Sequence, residues 1–140
     1  MFGRVGDVKV FDFGLAKELD PAKRDACGMF KLTENTGSAR YIAPEVALGQ
    51  PYNEFADVYS FSTLLWQILE LDTPYRGFDT MRMLEHKVYQ GGHRPLCSPK
   101  WPKRIVDVLH RGWGPVSQRP SMKVVVETLR DELAFASIPS

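Results

Sequence analysis

A mainly α fold with one short N-terminal strand is what this 140-residue sequence predicts, on three observations. Apolar residues recur at helical spacing over residues 53–71, where Ala56, Tyr59, Phe61, Leu64, Leu65, Ile68 and Leu69 leave little polar face. Three later segments open on Thr80, Pro102 and Ser121, residue types that start helices. Alternation with a period of two is confined to residues 8–13.

In chain order, Gly6-Asp7 reads as a turn, and Val8, Val10 and Phe13 alternate with Lys9 and Asp12. Phe11 breaks the alternation, as it would in a strand covered on both faces. Residues 19–40 are rich in charge, Gly and Thr and show no period, which makes them a long loop of the functional or mobile kind. Pro44 suits the first turn of a brief helix over 44–48, stopped by Gly49. Asn53 or Glu54 opens the long helix, which ends before Thr73-Pro74; a helix so apolar should lie buried in a larger body. Further helices are expected over 80–89, closed by Gly91-Gly92, from Pro102 to residue 111, and from Met122 to Phe135 behind the cap Ser121. Glu127 and Glu132 mark the polar face of the last one. Four or five helices result, with no internal repeat and no second domain.

Composition excludes several function classes. A net charge of +1, with 44% apolar and 25% charged residues, gives no basic stripe for nucleic acid. The short basic runs Lys23-Arg24 and 100–104 read as solvated loop edges. Residues 58–71 are interrupted by Ser60, Ser62, Thr63, Gln67 and Glu70, too short and polar for a membrane span of about 20 apolar residues. His86, His93 and His110 lack the spacing of a zinc helix. Cys27 and Cys97 form no close pair, and no signal peptide is recognisable, so an intracellular, cytoplasmic setting is expected.

Chemistry enters with four short motifs. Asp12-Phe13-Gly14 alone is weak evidence, but "GSARYIAPEV" (37–46) places Ala43-Pro44-Glu45 at the far end of the loop that Asp12 begins. "ADVYSF" (56–61) and "QRPSM" (118–122) follow in order. With these four motifs, nearly the whole sequence resembles the C-terminal lobe of a eukaryotic protein kinase, with an activation segment between Asp12 and Glu45. A partial kinase domain over 1–136 and a tail over 137–140 are expected.

The resemblance implies roles residue by residue. Asp12 would hold the Mg²⁺ that bridges the phosphates of ATP; read by itself it is a turn aspartate. Phe13 would pack inward to fix Asp12, and Gly14 would supply permissive backbone. Glu45 and Arg119 would form a buried, structural ion pair. Asp57 would brace the catalytic loop, or else be a first-turn acid favoured by the helix dipole. Ser38 and Tyr41 resemble the serine/threonine form of the segment, in which a small hydroxyl faces the catalytic loop, although Ser38 also reads as an ordinary loop serine. "RGWGPVSQRPSM", with Trp113 ahead of Arg119, is similar to the tyrosine-kinase-like group of those enzymes. Thr33 and Thr36 are either candidate phosphorylation sites, with Lys17 as a partner for the phosphate, or plain loop threonines.

Other kinase parts have no counterpart in these residues. The glycine-rich loop, the strand lysine with its glutamate, and the H-R-D catalytic loop carrying the base and the second metal ligand are all without a match. "FGRVG" has only Gly3 and Gly6 and is no phosphate loop. The expectation is a protein Ser/Thr kinase truncated so that its N-lobe and catalytic loop are absent, acting on a protein substrate and partnered by the missing N-terminal half, without nucleic acid or membrane. Such a chain would be inactive alone, would not bind ATP and Mg²⁺ by itself, would leave Asp57 unpartnered, and would expose an apolar face of the long helix. The alternative is a non-catalytic C-lobe binding module or decoy.

Overall fold

The computed structural model describes residues 8–33 and 37–136. Five helical elements build it: α1 (Pro44–Ala47), α2 (Phe55–Glu70), α3 (Met81–Met83), which runs directly into a π-helix (Leu84–Gln90), α4 (Lys103–Gly112) and α5 (Met122–Ala136). The fold class is therefore the expected one, mainly helical.

Each boundary has a local cause. Pro44 occupies the first turn of α1, where its missing N–H costs nothing, and Leu48 ends the helix. Asn53 Oδ1 accepts the Phe55 amide at 3.1 Å at the start of α2, and Leu71 turns left-handed (φ 57°) at its end. Thr80 Oγ1 accepts the Met83 amide at 3.2 Å and Ser121 Oγ the Val124 amide at 3.4 Å, so both hydroxyls cap as their sequence positions suggest. The π-helix was not legible from periodicity. It ends at Gly91, where a Cβ would stand 2.8 Å from the His86 and Lys87 carbonyl oxygens.

The strand expected over 8–13 is not formed. Val8, Val10, Phe11 and Phe13 are all exposed, and Asp12 has φ 63°, which breaks an extended run. A strand needs a neighbour for its backbone N–H and C=O groups, and no partner strand lies among the described residues. Phe13 correspondingly does not pack inward, and the left-handed residue is Asp12 rather than Gly14.

The core lies between α2 and the helices after it. Tyr59, Leu65, Trp66, Val88, Leu109 and Trp113 are buried together with Ile42 and Val46 from the α1 region, while Val58, Val108 and Val125 seal α2 against α4 and α5. Polar residues that interrupt the apolar run of α2 are used internally. Ser62 Oγ donates to the Val58 carbonyl at 2.8 Å, and Thr63 Oγ1 donates to the Tyr59 carbonyl while accepting Trp113 Nε1 at 3.0 Å. Among the described residues no buried side-chain polar atom lacks a partner. Among the described residues one side of α2 is left uncovered: Leu64 and Ile68 are exposed, as is Leu71 just past its end. No described helix is long and apolar enough to cross a membrane.

The loop after Asp12 is irregular, as expected, but pinned. Asp20 caps a 3₁₀ turn (Pro21–Lys23), and Asp25 Oδ1 accepts the amides of Cys27 (2.9 Å) and Met29 (2.8 Å). Phe30 is buried and forms a two-bond antiparallel bridge with Tyr52, N···O 2.9 and 3.0 Å.

Candidate functional site

Glu45 lies in the first turn of α1, and Arg119 lies in the bend that leads to α5. Their side chains meet as a two-pronged pair, Nη1–Oε1 at 2.5 Å and Nη2–Oε2 at 2.9 Å, with side-chain exposures of only 3% for Arg119 and 10% for Glu45. Two further bonds go to backbone: Nε donates to the Gly114 carbonyl at 2.9 Å and Nη1 to the Phe55 carbonyl at 3.0 Å. One guanidinium thus ties α1, the start of α2 and the end of α4 together. Its Cζ lies over the buried Tyr59 ring, 5.2 Å from the ring centre. Burial pushes the Tyr59 phenol far up, so it stays protonated.

The pair anchors a segment that lines a cavity of about 430 Å³. Ser38 and Tyr41 lie on its wall with Asp57 and Ser60 from α2, and with Lys17 from the preceding loop. The Ser38 carbonyl accepts the amides of Tyr41 (2.9 Å) and Ile42 (3.2 Å), forming a tight turn. The Tyr41 hydroxyl reaches down to Gln67 Oε1 of α2 at 2.5 Å. Asp57 has no hydrogen-bond partner for its carboxylate among the described residues, and partial burial against the cavity wall raises its pKa.

Asp12, Phe13 and Gly14 stand outside this cavity wall. Asp12 Oδ1 accepts the Gly14 amide at 3.3 Å, the bond of an aspartate turn, and the carboxylate is otherwise open to solvent. One free carboxylate suits a hard cation that takes its remaining ligands from phosphates and water. No cluster of three or more His, Cys, Asp or Glu that could hold a metal occurs among the described residues. Thr33 is exposed and its carbonyl accepts the Tyr52 hydroxyl at 2.8 Å; Thr36 lies outside the described residues.

Residues 1–129 match the family model described as protein tyrosine and serine/threonine kinase. The chain belongs to the protein kinase family. Among its curated relatives, dual specificity protein kinase shkB of Dictyostelium discoideum is 40% identical over 116 residues, 81% of this chain and 17% of that protein. Mitogen-activated protein kinase kinase kinase 7 of Drosophila melanogaster is 32% identical over 126 residues, 89% and 17%. Serine/threonine-protein kinase VIK of Arabidopsis thaliana is 33% identical over 128 residues, 87% and 27%. The chain thus spans between 17% and 27% of the length of these three kinases.

Within this kinase chain the structure brings together Glu45 with Arg119, and Ser38 and Tyr41 with Asp57, while Asp12–Gly14 stay apart from both groups. Sequence reasoning passed over Arg40, Tyr59 and Tyr89. The Tyr89 hydroxyl donates to the Ala39 carbonyl at 2.6 Å, so the kinase segment is held from the π-helix as well. No local spacing signals that contact, because the partners are fifty residues apart.

Proposed function

We propose that this chain is the activation segment and C-lobe of a protein serine/threonine kinase, which transfers the γ-phosphoryl group of ATP to a Ser or Thr hydroxyl of a protein substrate. The observation that carries the reading is the buried Glu45–Arg119 pair, which fixes the segment bearing Ser38 and Tyr41 against α2 beside Asp57. Asp12 would hold Mg²⁺, which would offset the charge of the nucleotide's phosphates. Phe13 and Gly14 set the backbone that presents Asp12. Ser38 and Tyr41 shape the cavity wall that an acceptor peptide would meet, and Glu45, Arg119 and Asp57 support that wall. Thr33 and Thr36 are the segment's candidate acceptors of regulatory phosphate, with Lys17 as a candidate partner for the phosphate charge. Assignment to the tyrosine-kinase-like group and to the cytoplasm belongs to the same proposal.

These 140 residues hold no His-Arg-Asp sequence, so the catalytic base must come from elsewhere, and the isolated polypeptide is expected to be inactive. The test uses the full-length protein with labelled ATP, Mg²⁺ and a Ser/Thr peptide library. Transfer to Ser or Thr that vanishes in Asp12→Asn supports the reading. Full activity in Asp12→Asn refutes the metal role, and no transfer by the wild type leaves the non-catalytic binding module.

A further inference from the structure

Besides the Tyr89–Ala39 and Tyr41–Gln67 hydrogen bonds, two arginines grip the end of the activation segment. Glu45 is held by Arg119. Upstream of it, Arg40 Nη1 donates to the carbonyls of Pro74 at 3.0 Å and Tyr75 at 2.7 Å. Its nearest carboxylate, Asp79, is 3.7 Å away and 80% exposed, so the two carbonyls rather than the acid are the anchor. Those carbonyls belong to the turn after α2, where Tyr75 is held at φ 56°, a conformation disfavoured for a bulky residue.

The two grips share one core. The Tyr75 hydroxyl meets the Tyr59 hydroxyl at 3.2 Å, and the Tyr59 ring faces the Arg119 guanidinium. A closed circuit results: Glu45, Arg119, Tyr59, Tyr75, Arg40, and back along the chain to Glu45. Breaking it at Arg40 loosens the Ser38–Tyr41 end of the segment, which keeps the Tyr89–Ala39 and Tyr41–Gln67 hydrogen bonds, while the Glu45 end stays fixed.

Resting on the kinase reading, we infer that Arg40 is a positioning residue for the acceptor peptide: it locks the turn at residues 38–41 to the turn at residues 73–79, and so shapes the cavity wall that binds the peptide. ATP, on this reading, does not depend on Arg40.

The test compares Arg40→Ala, Arg40→Lys and Asp79→Asn in the full-length protein, by hydrogen exchange and by steady-state kinetics. In Arg40→Ala the amides of Tyr41 and Ile42, both bonded to the Ser38 carbonyl, should exchange about tenfold faster, with interior α2 amides unchanged. Its peptide KM should rise about tenfold while kcat and the KM for ATP stay within about twofold. Arg40→Lys should fall between, because a single ammonium lacks the fork, and Asp79→Asn should match the wild type. Unchanged exchange at Tyr41 and Ile42 overturns the lock, whatever the activity. Faster exchange with no change in peptide KM, or with an equal loss in kcat, overturns the positioning role. A wild type without phosphoryl transfer sinks the kinase reading and the peptide role with it, while the exchange data still decide the lock.

Discussion

Arg119→Ala would strand the Glu45 carboxylate in a site from which water is largely excluded. Four hydrogen bonds would go: two to Glu45, one to the Gly114 carbonyl and one to the Phe55 carbonyl. Breaking a buried pair by removing one partner costs about 3–5 kcal/mol, against about 0–1 kcal/mol for an exposed pair. That is a large part of the roughly 5–15 kcal/mol that holds a domain folded. With a urea m-value of about 2 kcal/mol/M, the unfolding midpoint should fall by about 2 M. Urea titrations followed by tryptophan fluorescence measure it, since Trp113 packs in the same core. The penalty is chiefly the stranded charge, so Arg119→Met combined with Glu45→Leu should recover more than half of the loss despite the orphaned carbonyls. A single-variant cost below about 1 kcal/mol would show a solvated pair. A double variant at least as unstable as the single would refute the stranded-charge argument itself.

Three further outcomes are expected. Gly112→Ala would place a Cβ 1.9 Å from Ser62 Oγ and 2.9 Å from Ser62 Cβ, so α2 and α4 must separate, at about 1–3 kcal/mol; adding Ser62→Gly should restore part of the stability in the same titration. Phe30→Ala should release the loop without unfolding the helices, seen as faster exchange of the Phe30 and Tyr52 amides, the two that form the bridge, with α4 amides unchanged. Asp57 has its folded pKa raised by burial, so its contribution to stability falls as pH climbs from 3.8 through the raised value. Asp57→Asn should therefore be more stable than the wild type at pH 7, with the gap closing below pH 3.8; a variant less stable at pH 7 would refute this.

Legibility followed the range of the interaction. Helix starts at Pro44, Thr80 and Ser121 were readable because a cap acts within three residues, and α2 was readable because its apolar spacing persists over four turns. The strand at 8–13 was misjudged for the opposite reason: alternation reports a pattern of side chains, but a strand exists only with a neighbour to bond. The π-helix escaped because its wider turn shifts the apolar residues Leu84, Val88 and Tyr89 only slightly from α-helical spacing. The pairing of Glu45 with Arg119, across seventy-four residues, came from motif resemblance and not from spacing.

Arg40 marks where that route stops. A lone arginine between Ser38 and Tyr41 has no acid at a helical interval, and a surface position would be the ordinary reading. Its partners are backbone carbonyls, which every residue possesses and which no side-chain pattern can announce. Two of those carbonyls, at a turn where Tyr75 is left-handed, point to one guanidinium. The placement of this segment thus depends on the backbone geometry of a distant turn. Changes at residues 73–79 should therefore disturb the loop at 38–41 even where no side chain of that loop is altered.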